Sequence, residues 1–205
     1  MPEFYPAIEQ QISELEIKHS RFLTLVAHTK TNNQSDDLIQ QVREQHKKAN
    51  HHCWARICGP RSKRLAWGSS DDGEPKGTAG RPMLNVLEHS ELCEVTVVVT
   101  RYFGGIKLGT GGLVRAYSQA VQEALTQLPT LEYVTHYPFK LNVPHPQVGD
   151  IEQLLAKLQI NVQQRYWTDE LLIDGIGSAE QLTALKQALI PWQHQVTLSS
   201  SSNIL

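Results

Sequence analysis

Apolar positions along the 205-residue chain fall into strand-like runs and helical stripes, and their order lays out two successive units. Phe22 to Ala27 (Phe-Leu-Thr-Leu-Val-Ala) reads as a strand, ended by the polar cluster Thr31 to Ser35. Ser35 or Asp36 is suited to cap a helix whose stripe is Leu38, Ile39 and Val42, with Arg43 and Lys47 on its far face. Cys53 to Cys58 predicts a second strand, Gly59 to Ser62 a turn, and Leu65 to Trp67 a short third strand. Ser69 to Pro82 has no periodicity, and a loop that long in a small domain favours a functional role. Met83, Leu84, Val86 and Leu87 suit one face of a short helix. Val95 to Phe103 is the clearest strand, since its β-branched run fits a buried central position. A glycine-rich loop follows, and then the clearest helix. Leu113, Ala116, Tyr117, Ala120, Val121, Ala124, Leu125 and Leu128 form its stripe, and Pro129 ends it.

The rest of the chain reads differently. Val134 to Val143 is strand-like and is broken by Pro144-His145-Pro146. Val148, Ile151, Leu154, Leu155 and Leu158 make a helical stripe. Ile160 to Tyr166 and Leu171 to Ile173 are strands around a Thr168-Asp169-Glu170 turn, and a helix over Ala179 to Leu189 precedes a last strand, Gln195 to Leu198. The serine-rich tail from Ser199 reads as frayed. The order β-α-β-β-α-β is that of the ferredoxin-like split motif. The expectation is an α+β protein of two domains, residues 1–134 and 135–205.

Composition narrows the options. A net charge of −2 excludes a broad nucleic-acid-coating role, so any such contact must be local. Residues 1–132 carry 15 Lys and Arg against 15 Asp and Glu, and residues 133–205 carry 4 against 6. A basic patch therefore belongs to the first domain. Three cysteines without a C-x-x-C pair argue against a disulfide framework or zinc ribbon and fit free thiols in a reducing compartment. The first residues have neither a basic nor an apolar signal-peptide region, and no apolar run reaches the roughly 20 residues of a bilayer span. The cytoplasm is the expected location.

Three stretches could carry chemistry. The strand–glycine loop–helix unit holds Gly104, Gly105, Gly109, Gly111 and Gly112 ahead of a helix start, whose free N–H groups suit an anion. Lys107 and Arg115 near that start are electrostatically misplaced, by about 0.3–1 kcal/mol each, unless an anion binds. The bland alternative is a tight structural crossing. Neither a P-loop nor a complete G-x-G-x-x-G occurs, because position 114 is valine. The second stretch is the acidic loop Ser69 to Gly80. Its carboxylates, Asp71, Asp72 and Glu74, could hold Mg²⁺ or work in acid–base steps. Capping of backbone amides, or pairing with Arg101 or Arg115, is the preferred reading. The third is His46 to Trp54, where a zinc site lacks a second ligand pair. Its neighbours Arg43, Arg56, Arg61, Lys63 and Arg64 supply a local basic surface instead. Trp54 and Trp67 could stack bases, but on short strands they belong more often to the core.

The most specific feature is a long ordered set of short motifs. It comprises Ser70-Asp71-Asp72-Gly73-Glu74-Pro75, Gly77-Thr78-Ala79-Gly80 with Pro82, Val99-Thr100-Arg101-Tyr102-Phe103-Gly104-Gly105, Lys107-Leu108-Gly109, and Gly111-Gly112-Leu113-Val114-Arg115-Ala116-Tyr117. This set resembles the Impact family, as do Glu16 to Phe22 and the spacing of His46, Ala49 and His51; His19 is a minor departure. The resemblance covers roughly residues 10–128. It implies a first domain built as an α/β sandwich like the second domain of small-subunit ribosomal protein five, and a second domain like the last domain of elongation factor G. It also implies a role in translation, since eukaryotic relatives restrain an amino-acid-starvation kinase. The binding candidates are Asp71, Asp72, Glu74, Lys76, Thr78, Arg101, Tyr102, Gly104, Gly105, Lys107, Gly109, Gly111, Gly112 and Arg115. No catalytic residue, metal ligand or cofactor is assigned, and a monomer is the default. The leading expectation is a translation-associated binding or regulatory protein contacting RNA, the ribosome or a translation factor. The alternatives are a metal-dependent phosphotransferase or hydrolase using Asp71, Asp72 or Glu74, and a pure protein-interaction regulator of a stress response.

Overall fold

The structure, a computed structural model, describes residues 3–61 and 67–200. The chain is mixed α/β and divides into two compact units, Met1–Tyr133 and Val134–Leu205. The first unit runs β1 (Phe4–Pro6), β2 (Gln10–Ile17), β3 (Ser20–His28), α1 (Asn32–Gln45), β4 (His51–Ile57), β5 (Trp67–Ser70), α2 (Gly80–Glu88), β6 (Val95–Tyr102), α3 (Thr110–Thr126) and β7 (Thr130–Glu132). Its main sheet has the order β2-β3-β6-β4-β5 and is antiparallel throughout, while β1 pairs with β7.

The β-branched run of β6 is explained by its position. β6 is the central strand and has helices on both faces. Val95, Val97 and Val99 pack with Phe22, Met83, Leu87 and Tyr117, under α2 and α3. Val98 packs with Leu25 against Leu38, Ile39 and Val42 of α1. Odd-numbered residues of β6 and β4 thus face α2 and α3, and even-numbered ones face α1. This alternation sends Arg101 and His51 under α3, and His52, Thr100 and Tyr102 to the other side.

Several boundaries differ from the sequence reading. The cap of α1 is Thr31, whose hydroxyl accepts from the Gln34 amide at 3.3 Å, rather than Ser35 or Asp36. Ser35 lies inside the helix, buried, where its hydroxyl meets Thr96 Oγ1 at 2.8 Å. The long loop is shorter than expected, because Ser69 and Ser70 end β5 and Gly80 opens α2. Strands β1, β2 and β7 were not foreseen. Of the third strand read over 65–67, only Trp67 is described; Ser62 of the turn, and Leu65 and Ala66, lie outside the described residues. Arg43 pairs with Asp72, Arg56 pairs with Asp36, and Arg61 donates to the carbonyls of Leu87, Glu88 and Leu92. These three arginines are therefore structural partners rather than a free basic surface, and Lys63 and Arg64 lie outside the described residues. Trp54 is half-buried against α1, with the Arg56 guanidinium 4.9 Å from its ring, so it packs as core.

The second unit runs β8 (His136–Val143), α4 (Val148–Lys157), β9 (Asn161–Trp167), β10 (Leu171–Ser178), α5 (Ala179–Ala188) and β11 (Thr197–Ser200). The antiparallel sheet has the order β11-β8-β10-β9. Phe139, Leu141, Val143, Leu171 and Ile173 form one side of its core, and Ile151, Leu155, Leu182 and Leu185 of α4 and α5 form the other. Ser178 and Gln181 close a reciprocal capping box at the start of α5. Ser199 and Ser200, read as a frayed tail, pair with Lys140 and Phe139 in β11; residues 201–205 lie outside the described residues.

Candidate functional site

The loop 71–79 hangs between β5 and α2, and its three carboxylates go to three different places. Asp71 accepts from the amides of Gly77 at 2.7 Å, Ala79 at 3.0 Å and Gly80 at 2.8 Å. It thereby caps α2, whose own cap residue, Ala79, offers no side-chain acceptor. Partial burial opposes ionisation of Asp71, but the three amides outweigh it and hold the carboxyl below its usual range. Asp72 accepts from Arg43 Nη2 at 2.5 Å and from the His52 amide at 2.6 Å, tying the loop to the end of α1 and the start of β4. Glu74 alone turns inward.

Glu74 sits under α3 in a buried polar cluster. Its Oε1 accepts from Arg101 Nη1 at 2.7 Å and from the Tyr117 hydroxyl at 2.8 Å. The Glu74 and Arg101 side chains are 4% and 6% exposed. Burying both charges is costly, so close pairing is required. Aromatic faces complete the Arg101 setting, with Phe22 and Phe103 each 5.5 Å from its guanidinium carbon. Cys53 Sγ lies 2.9 Å from the Asp71 carbonyl and 3.3 Å from the Tyr117 hydroxyl. Burial pushes the Cys53 thiol up to about 12 and the Tyr117 hydroxyl well above its ordinary value, so both stay protonated and neither is a ready nucleophile. His51 lies directly across from Arg101 in the β4–β6 pairing. Its Nδ1 meets the Asp72 carbonyl at 2.8 Å, and its Nε2 lies 3.9 Å from Glu74 Oε2.

A cavity of about 410 Å³ opens between this cluster and the start of α3. Glu74, Arg101, His51 and Asn50 wall one side; Phe103, Lys107, Leu108, Gly109, Thr110 and Leu113 wall the other. Gly109 holds φ +73°, a conformation that L side chains rarely adopt, and it caps α3 without any side-chain acceptor. The first turn of α3 has no acidic residue either, so its amides keep their donor character. Lys107 and Arg115 are exposed and form no ion pair among the described residues. Gly104 is demanded by close approach, since a Cβ there would lie 2.0 Å from the His19 carbonyl carbon. A larger groove of about 630 Å³ runs between α2 and α3, with no Lys, Arg, Asp or Glu on its walls among the described residues, so it offers little charge chemistry.

Of the residues picked from sequence, Glu74, Arg101, Lys107 and Gly109 line the cavity. Asp71 and Asp72 have the fixed roles above. Thr78 is buried, with its hydroxyl on the Pro75 carbonyl, and Lys76 is exposed. Tyr102 turns to the α1 side, its hydroxyl 2.9 Å from His46 Nδ1. Gly105, Gly111, Gly112 and Arg115 belong to the loop and first turns of α3 beside the cavity rather than to its walls. No group of three or more His, Cys, Asp or Glu poised for a metal is found among the described residues. Sequence reasoning missed Asn50, His51, Phe103 and Tyr117 as site residues. Strand alternation, which puts His51 on the same face as Cys53 and Ala55, was the available signal.

The match to known proteins is extensive. The Impact N-terminal domain family matches residues 18–125. An IMPACT family member of Haemophilus influenzae is 42% identical over 178 residues, 86% of either chain. The IMPACT family member YigZ of Escherichia coli is 46% identical over 142 residues, 69% of this chain and 70% of its own. A crystal structure described as that of a hypothetical protein is 35% identical and superposes with a TM-score of 0.74 over 98% of both chains. No helix among the described residues is long and apolar enough to cross a membrane. On the family match and these relatives, the chain belongs to the IMPACT family.

Proposed function

We propose that this chain is a translation-associated binding and regulatory protein of the cytoplasm, and that it contacts RNA, on the ribosome or free, through the start of α3. The observation that carries the reading is the uncapped N-terminus of α3 beside Lys107 and Arg115, two cations without ion-pair partners among the described residues. That combination suits a phosphate on chemical grounds. The order β8-α4-β9-β10-α5-β11 with strand order β11-β8-β10-β9 supports a ferredoxin-like second domain, akin to the last domain of elongation factor G. The helix-covered antiparallel sheet of the first unit supports kinship with the second domain of small-subunit ribosomal protein five. The metal-dependent enzyme reading, which draws on Asp71, Asp72 or Glu74, is less favoured, since the first two are engaged by amides and Arg43 and Glu74 is paired with Arg101.

Ribosome co-sedimentation at about 100 mM salt, with and without nuclease, tests the reading. Association that falls as salt rises and disappears with nuclease is the expected result. Association that survives nuclease would instead identify a protein-interaction regulator.

A further inference from the structure

The cavity under α3 has two ends of different chemistry. At the inner end stands one open hydrogen-bond acceptor. Glu74 Oε1 is used by Arg101 and Tyr117, but Oε2 receives no hydrogen bond among the described residues. His51 Nδ1 donates to the Asp72 carbonyl at 2.8 Å, which fixes the ring with Nε2 on the Glu74 side. Nε2 lies 3.9 Å from Glu74 Oε2, beyond hydrogen-bonding range. The Glu74 side chain, 4% exposed, thus offers the cavity an acceptor that no donor among the described residues takes up. At the outer end are Lys107 and the first amides of α3, which favour an anion. Between the ends Phe103, 45% exposed, offers a flat ring, with Leu108 and Leu113 as apolar walls. A volume of about 410 Å³ is that of a small-molecule site.

A ligand that satisfies all three features is flat, carries an N–H donor on its far edge and ends in a phosphate. We propose that the cavity receives a single nucleotide, its base against Phe103, a base N–H donated to Glu74 Oε2 and its phosphate at Lys107 and the start of α3. This rests on the RNA-contact reading and narrows it to an unstacked nucleotide. The nucleotide is either free or a residue of single-stranded RNA, because a paired and stacked base cannot present its edge and face together.

Calorimetric titration of the full chain tests the assignment. The probes are adenosine 5′-monophosphate, purine riboside 5′-monophosphate (which lacks the exocyclic amine), inorganic phosphate, and short single-stranded and duplex RNA. Adenosine monophosphate is expected to bind roughly tenfold or more tighter than both phosphate and the amine-free analogue. Phe103→Ala should remove that advantage over phosphate without changing phosphate binding, and Lys107→Ala should weaken both. Single-stranded RNA binding more tightly than the mononucleotide, and more tightly than duplex, would identify RNA as the source; the mononucleotide matching RNA would identify the free nucleotide. Nucleotides no tighter than phosphate, or an unaltered Phe103→Ala protein, overturn the assignment. RNA association that depends on Lys107, without any preference for nucleotide over phosphate, would sink this inference and leave the RNA-contact reading standing. Mononucleotide binding without any RNA association would do the reverse.

Discussion

Glu74 and Arg101 are each other's reason for being buried. With both side chains nearly inaccessible, removing one leaves the other as an uncompensated charge. Arg101→Met should therefore cost about 3–5 kcal/mol of unfolding free energy in urea titration, and the double variant with Glu74→Gln should recover part of it. A loss below about 1 kcal/mol would mean that the pair is solvated in solution. Asp71 gives the complementary test by pH. Its carboxyl is held below the ordinary value by the Gly77, Ala79 and Gly80 amides against partial burial. A depressed folded-state pKa means that the stabilisation is fully present above the unfolded value near 4 and is lost as pH falls through the lower, folded value. Thermal unfolding of Asp71→Asn should be less stable than the parent at pH 7 and converge on it in acid. A constant gap across that range would show that the carboxylate's charge is irrelevant to the cap.

The elements that announce themselves in sequence have one environment along their length. β6 is buried on both faces, and α3 keeps one unbroken stripe, so composition and period sufficed for both. β2 fails that test for a physical reason. As an edge strand it turns Ile12 outward, 61% exposed, while Gln11 points in and donates to the Ala124 carbonyl at 2.9 Å. The alternation is thus scrambled by a satisfied polar residue. Ser35 misled as a cap for a similar reason, since its hydroxyl serves the buried Thr96 instead. Ser199 and Ser200 are held in β11 by backbone pairing, and the Ser200 hydroxyl donates to the Pro138 carbonyl at 3.1 Å. The candidate site was half legible. Glu74, Arg101 and Lys107 lay in conspicuous motifs; Tyr117 and His51 fall within that motif set too, but only helix packing and strand register bring them to Glu74. The glycines of the β6–α3 connection separate by environment. Gly104→Ala should disrupt the first unit, seen as a loss of cooperative unfolding, because the added Cβ meets backbone at 2.0 Å. Gly111→Ala, with nothing within 4 Å, should leave stability within about 1 kcal/mol of the parent. Similar effects from the two would remove the packing argument.

On the scale of the whole chain, each unit has its own apolar core, and the second is the smaller. A chain of residues 1–133 should unfold cooperatively by itself, whereas residues 134–205, with less surface to bury, should be markedly less stable. A first unit that is unfolded when separated would contradict independent cores. The functional claim rests on one local contact in a molecule whose net charge of −2 offers no general attraction to nucleic acid. Filter binding of single-stranded RNA across a salt series, with Lys107→Ala and Arg115→Ala beside the parent, measures that contact most directly. With an RNA contact at the start of α3, affinity falls with salt, both variants bind more weakly at unchanged thermal stability, and the log–log slope becomes shallower by about 0.7 for each lost phosphate contact. Affinity that ignores salt, or variants that bind as the parent does, would contradict it.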